Sequence, residues 1–167
     1  MRKVLLKQTN IDTNMLLAKV DINTEKKTKN IAEELYKISK VGDIFALKGE
    51  LGVGKTTLAR YFIMKGGKEK RIVSPSYNIF FKYSSKKSSI YHLDAWRLEE
   101  DKEILELGVM DYFYEAIFLI EWADKIERYL PKNRLVMHIK IKDENRILFI
   151  KGNEIWKERL KRILDEN

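Results

Sequence analysis

The sequence predicts an α/β protein, a buried mixed sheet with antiparallel edges and helices packed against it. Three observations carry that expectation. Residues 44–47 form a short apolar run, a glycine-rich loop follows at 49–54, and residues 56–64 are good helix formers with Leu58, Tyr61 and Phe62 apolar. Residues 116–120, Ala-Ile-Phe-Leu-Ile, are continuously apolar, as in a strand covered on both faces. Segments 78–83 and 89–94, joined by a polar turn, read as an antiparallel hairpin, and two further strands at 135–141 and 146–151 are separated by a turn at 143–145.

Taken in order, residues 15–22 can supply an opening strand, and residues 1–22 otherwise carry no recognisable chemistry. Asn23 or Thr24 is placed to cap a helix from Glu25 to about Ser39, with Ile31, Leu35 and Ile38 on one face. Gly66-Gly67 stops the helix after the glycine loop, and Lys68 to Arg71 make a basic loop. Residues 99–107 and 110–115 read as short helical pieces hinged at Gly108. A polar amphipathic segment, 123–130, closes at Pro131, and a charged helix over 154–164 finishes the chain. No repeat, linker or low-complexity stretch interrupts the 167 residues, so a single domain spanning 1–167 is expected, with 1–22 as an N-terminal extension.

Composition narrows the function classes. There are no cysteines, which excludes disulfides, thiolate zinc sites and cysteine nucleophiles. No apolar run is long enough to span a bilayer, and the apolar part of the basic opening stretch is too short for a secretory signal, so no membrane role and a cytoplasmic location are expected. The 33 Lys and Arg outnumber 25 Asp and Glu, for a net charge of +8. Such a balance favours contact with a polyanion or an acidic protein surface, although a lysine-rich surface also arises from compositional bias.

The chemistry concentrates at Gly49-Glu50-Leu51-Gly52-Val53-Gly54-Lys55-Thr56, which fits the phosphate-loop pattern G-x-x-x-x-G-K-[ST]. Glycines let successive amide N–H groups turn inward around an anion, and the following helix adds unpaired N–H groups and the positive end of its dipole. Lys55 is placed to reach the β- and γ-phosphates of a nucleotide, and the Thr56 hydroxyl to bind Mg²⁺. An ordinary glycine turn is the competing explanation; the strand before and helix after favour the phosphate loop.

Such a loop needs an acid at the end of a neighbouring strand to hold the metal or its water. Asp94, after 90–93, and Glu121, after 116–120, both qualify, and the sequence leaves open which of them orients water. Glu121 has the cleaner apolar strand before it, whereas Arg97 offers Asp94 a simple ion pair. His92 shares a strand face with Asp94 and can position a phosphate or water, but a packed structural histidine is the favoured reading. Ser74 and Ser76 flank Pro75 in a loop able to sense a γ-phosphate or to be a plain turn. Trp122 either stacks on a partner or packs, and His138 reads as structural.

Together these residues carry a family signature. Gly49 to Thr57, then Val73-Ser74-Pro75-Ser76-Tyr77, then Tyr91-His92-Leu93-Asp94-Ala95-Trp96-Arg97-Leu98, then Glu106-Leu107-Gly108, Asp111-Tyr112-Phe113, Ile120-Glu121-Trp122 and Leu130-Pro131 closely resemble the TsaE family over about residues 25–146. The resemblance implies a P-loop NTPase-like three-layer α/β sandwich and an ATPase needed for threonylcarbamoyl modification of the tRNA adenosine next to the anticodon. It implies ATP or ADP with Mg²⁺, weak hydrolysis alone, and docking onto a TsaB–TsaD pair, with any tRNA contact indirect or weak. In that scheme Glu50, Leu51, Gly52, Val53, Gly54, Lys55, Thr56 and Thr57 hold the nucleotide phosphates, and Thr56, Glu121 and Asp94 stand on the metal side, with Lys55, Asp94 and Glu121 catalytic. Ser76 stands where the family usually has threonine, Trp96 where it has tyrosine, and Glu50 where it has aspartate. A looser correspondence places base contacts around Thr24, Glu25 and Thr28. The runner-up is a small-molecule kinase on the same loop, which would need an arginine-bearing lid; Arg60, Arg71 and Arg97 are scattered instead.

Overall fold

The computed structural model describes residues 15–67 and 79–164. Residues 1–14 of the N-terminal extension, the basic loop at 68–71 and the loop carrying Ser74 and Ser76 lie outside the described residues.

One seven-stranded sheet organises the chain, with strands β1 Met15–Asp21, β2 Ile44–Lys48, β3 Phe80–Tyr83, β4 Ile90–Asp94, β5 Ile117–Glu121, β6 Leu135–Lys142 and β7 Asn145–Gly152 in spatial order β1-β7-β6-β2-β5-β4-β3. The four central strands β6, β2, β5 and β4 are parallel. Both edges are antiparallel, β3 against β4 and the β1-β7-β6 ribbon on the far side. The expected β3–β4 hairpin therefore forms, and β6 and β7 pair in the same way.

The central strands alternate between two cores. Phe45 and Leu47 of β2 and Ile117 and Leu119 of β5 face helices α1 (Glu25–Ile38), α2 (Lys55–Gly66) and α4 (Glu154–Leu164), where Leu35, Phe62 and Trp156 complete one core. Ile44, Ala46, Phe118 and Ile120 face the other way, toward Leu98, Ile104, Val109 and Ile126 from the short pieces at 95–130. Helices on one face and short helical turns on the other give three layers, and every residue of β5 is buried, as its continuous apolar run requires.

Helix starts follow local chemistry. The Thr24 hydroxyl accepts from the Lys27 amide at 3.2 Å and caps α1, the choice between Asn23 and Thr24 that the sequence leaves open. Asn23 bonds elsewhere. Its side chain accepts from the Arg146 amide and donates to Asn145 at 2.9 Å, pinning the start of α1 to the β6–β7 hairpin. The pieces between β4 and β5 shrink to α3 (Glu103–Glu106) and a 3₁₀ turn at Val109–Tyr112, with Gly108 between them at φ +63. Residues Ala123–Tyr129 form 3₁₀ helix kinked at Ile126 rather than a regular amphipathic helix.

Candidate nucleotide site

The phosphate loop links the end of β2 to the start of α2. Gly49 has φ +135, and a Cβ there would meet the Ile139 carbonyl oxygen at 2.4 Å, so backbone angle and space both demand glycine. Gly54 sits at φ +111 as the residue preceding α2, with no side-chain cap, which leaves the first helical amides to a ligand. Lys55 is 4% exposed and folds back under the loop, its Nζ donating to the Gly49 and Glu50 carbonyls, each at 2.8 Å. Burial holds its pKa below that of an ordinary lysine, opposed by Glu121, Asp94 and Asp124 nearby.

Glu121 ends β5 directly beside Leu47 at the end of β2 and Asp94 at the end of β4. Its carboxylate is 3% exposed and held from two sides. The Thr56 hydroxyl donates to Oε2 at 2.7 Å, and the His92 ring lies 2.7 Å from Oε1. A carboxylate only accepts, so His92 donates through Nε2–H. Its Nδ1 is buried with no hydrogen-bond partner among the described residues. His92 is thus packed, as expected, but its packing partner is the functional candidate itself. The same-face rule put His92 with Asp94; contact with Glu121 needs the parallel pairing of β4 and β5, 29 residues apart in sequence.

Asp94 accepts from the Trp96 amide at 3.0 Å and does not form the ion pair that Arg97 offered. Burial, with the Glu121 charge beside it, raises its pKa above the usual carboxylate range. Two carboxyl groups meeting at one mouth next to a hydroxyl form the oxygen donor set of a hard cation. Among the described residues no cluster of three or more His, Cys, Asp or Glu makes a preformed metal cage. The protein therefore supplies part of a coordination shell, which phosphate oxygens and water would complete.

Leu51, Gly52, Gly54, Lys55, Thr56, Thr57, Asp94, Trp96, Arg97, Glu121 and Trp122 line one cavity of about 330 Å³. Trp122 adopts the left-handed conformation at φ 54, which turns its indole over Lys55, the ammonium lying 3.8 Å from the ring centroid. Trp96 stacks against Trp122 with centroids 4.5 Å apart. Trp122 thus packs within the chain, on the phosphate-loop lysine.

Two further placements bear on the site. Arg146, at the start of β7, reaches the loop: a Cβ on Gly54 would lie 3.9 Å from its Cδ, and its buried Nε has no partner among the described residues. Sequence reasoning missed this residue because it is 92 positions beyond Gly54 and in no motif. Thr24 follows Asn23, which bonds the Arg146 amide, so the start of α1 lies on the same flank. Its hydroxyl is engaged in capping, Glu25 accepts from the Tyr61 hydroxyl, and Thr28 is buried against the Ile22 and Thr24 carbonyls. Ser76 lies outside the described residues.

A parallel core whose strand β2 runs through a glycine loop into a helix, with one carboxylate ending the neighbouring strand β5 and another ending β4 beyond it, defines a P-loop NTPase-like α/β protein. A family model described as Threonylcarbamoyl adenosine biosynthesis protein TsaE matches residues 22–148, and the chain belongs to the TsaE family. A tRNA threonylcarbamoyladenosine biosynthesis protein TsaE from Rickettsia bellii is 35% identical over 141 residues, covering 84% of this chain and 98% of that one. The Bacillus subtilis protein of the same name is 37% identical over 131 residues, covering 77% and 81%. Among solved structures, the crystal structure of Bacillus subtilis YdiB superposes with a TM-score of 0.72 at 30% identity, covering 89% of this chain and 94% of that one.

Proposed function

We propose that this chain is a Mg²⁺-dependent ATPase that is weak alone and works in the cytoplasm with a TsaB–TsaD pair in threonylcarbamoyl modification of the tRNA adenosine next to the anticodon. The observation that carries the ATPase part is the Thr56–Glu121–His92 chain of hydrogen bonds, whose Thr56 and Glu121 line the same cavity as Lys55. Membership of a family described by threonylcarbamoyl adenosine biosynthesis supports the pathway.

Each residue has a physical role in this reading. The loop amides from Leu51 to Thr57 cradle phosphate, and Lys55 exchanges its two carbonyl partners for phosphate oxygens. The Thr56 hydroxyl and the Glu121 carboxylate hold the metal side, and His92 keeps Glu121 in one orientation. Mg²⁺ held there would supply positive charge against the charge that develops on the phosphates. Asp94 faces the same mouth as the second acid and accepts a proton more readily than an ordinary aspartate, the property of a group that orients water. Thr24 and Arg146 flank the loop where the base and ribose would lie, and the Ser76 hydroxyl, at the position where the family usually has threonine, would sense the γ-phosphate.

The deciding experiment measures ATP binding and hydrolysis by the purified chain with and without a matched TsaB–TsaD pair. Binding with slow hydrolysis that rises when the pair is added is the expected result. Lys55→Ala should abolish or greatly weaken binding, and unchanged ATP affinity would sink the phosphate-loop assignment. Fast, partner-independent turnover with a small acceptor would point to a kinase.

A further inference from the structure

The sheet is wider than the layer of short helices that covers its second face. On that side the core reaches Val136 of β6 and includes no residue of β1 or β7. The cross-strand register then fixes what the part that no described residue covers presents. Lys19 of β1, Phe149 of β7 and His138 of β6 pair in one row, with Lys48 of β2 next to His138. Two residues away along the strands, Ile147 pairs with Lys140 on one side of that row, and Lys151 pairs with Val136 on the other. The opposite faces of the same strands, with Leu148, Ile150, Met137 and Ile139, are buried.

This open face is basic and carries one aromatic ring near its centre. Lys19 and Lys140 hold their ammonium groups over the Phe149 ring, 5.7 and 5.9 Å from its centroid, and the ring is half-buried. From there they would move onto phosphates as a base takes their place. No carboxylate among the described residues pairs with Lys19, Lys140 or Lys151. Among the described strand residues of this face the sole carboxylate is Asp21, and Lys27 already neutralises it. Burial first, then the charges of Lys140, Lys48 and Lys151, hold the His138 pKa below that of an ordinary histidine, with Asp124 opposing them. His138 also lines a hollow of about 310 Å³ with Lys48, Gly49, Glu50, Trp122 and Asp124, so the face runs on to the back of the phosphate loop.

From this juxtaposition we infer that the open face of β1, β7 and β6 binds a single-stranded segment of nucleic acid, its phosphates on Lys19, Lys140 and Lys151 and a base on Phe149. A flat three-stranded face, about 10 Å from outer strand to outer strand, suits an extended chain of phosphates. A ring flanked by ammonium groups is the stacking platform that single-stranded nucleic acids use, because every base has a π face and every phosphate a charge. An acidic protein surface would be attracted by the lysines but has no use for a half-buried ring among them. This reading is independent of the ATPase proposal, since none of these residues lines the phosphate cavity.

The test is fluorescence anisotropy with a labelled RNA of about twelve nucleotides, a DNA of the same sequence, heparin, and polyglutamate as an acidic-protein mimic. ATP binding is measured on the same samples, so failure of either proposal is seen separately. The parent chain should bind both oligonucleotides with affinity falling steeply as salt rises. Lys19→Glu with Lys140→Glu should weaken that binding at least about tenfold and flatten the salt dependence, while ATP affinity stays at the parent value. Phe149→Leu, which keeps an apolar side chain on the sheet, should cost about five- to tenfold on oligonucleotides and nothing on heparin. Oligonucleotide binding that is absent, or unmoved by these changes, overturns the inference. So does binding of polyglutamate as tight as that of RNA with Phe149→Leu without effect, which would give the face to an acidic protein.

Discussion

His92 and His138 show how differently two histidines of one chain can be used. His92 is fully buried and donates to the Glu121 carboxylate, which also takes the Thr56 hydroxyl. Removing the ring leaves a buried carboxylate with one donor fewer and free to rotate. His92→Ala should therefore raise the Mg²⁺ concentration needed for half-maximal hydrolysis, or lower turnover, by about 10- to 100-fold, the range for lost partners of metal-holding groups. Nucleotide binding through Lys55 and the loop amides should survive, and a parent-like Mg²⁺ dependence would remove His92 from the site. His138 carries a stability consequence instead. Its folded-state pKa lies below the value of about 6.5 for a free histidine, because burial and then Lys140, Lys48 and Lys151 disfavour the charged ring. The unfolded chain thus binds its proton first on acidification. The stability His138 contributes is complete above about pH 6.5 and is lost as pH falls through the folded-state pKa. His138→Gln should flatten the melting temperature against pH below that value, and an unchanged slope would show that His138 is not responsible. Much of the site was legible at this scale: Lys55, Thr56 and Glu121 sit where a local pattern and an apolar strand place them. Arg146 and the His92–Glu121 contact were not, because both depend on which strands become neighbours.

At the scale of elements, local signals were strong wherever one residue answers an unpaired backbone group. Thr24 precedes α1 and accepts from the Lys27 amide, and Gly67, which caps α2, sends its amide to the Ile63 carbonyl. Residues 95–115 and 123–130 read less well. Their apolar residues serve mainly to cover one face of the sheet, as Leu98, Ile104, Val109 and Ile126 do, and that can be done with single turns. The periodicity of a helix is then present without its length. The two proposed roles of Thr24 can be separated at this scale. Loss of the cap in Thr24→Ala should cost about 1 kcal/mol in denaturant unfolding. A contact with the nucleotide base would add a fall in ATP affinity well below the midpoint of unfolding, which Thr24→Ser should restore along with the cap. If only stability changes, Thr24 is a helix cap and not part of the nucleotide site.

For the molecule as a whole, the family match spans residues 22–148, yet β1 before it belongs to the same sheet and α4 after it to the same core. Trp156 of α4 is fully buried against Phe45, ring centroids 5.5 Å apart. Arg159, one turn on, bonds both carboxylate oxygens of Asp43 and the Ile38 carbonyl, tying α4 to the start of β2 and the end of α1. Asp43 is 6% exposed and also accepts from the Lys40 amide. This clamp lies at the opposite end of β2 from the phosphate loop, so it is expected to act on stability and not on chemistry. Arg159→Ala should cost about 3–5 kcal/mol, because it strands a buried carboxylate. Adding Asp43→Asn to that variant should recover part of the loss, since the amide still accepts from Lys40 and no longer carries an unpaired charge. ATP affinity measured below the melting temperature should match the parent in both variants. A loss in Arg159→Ala that Asp43→Asn does not relieve would mean that the guanidinium holds α4 by its stacking on Trp156, 3.9 Å from the ring centroid, and not through Asp43.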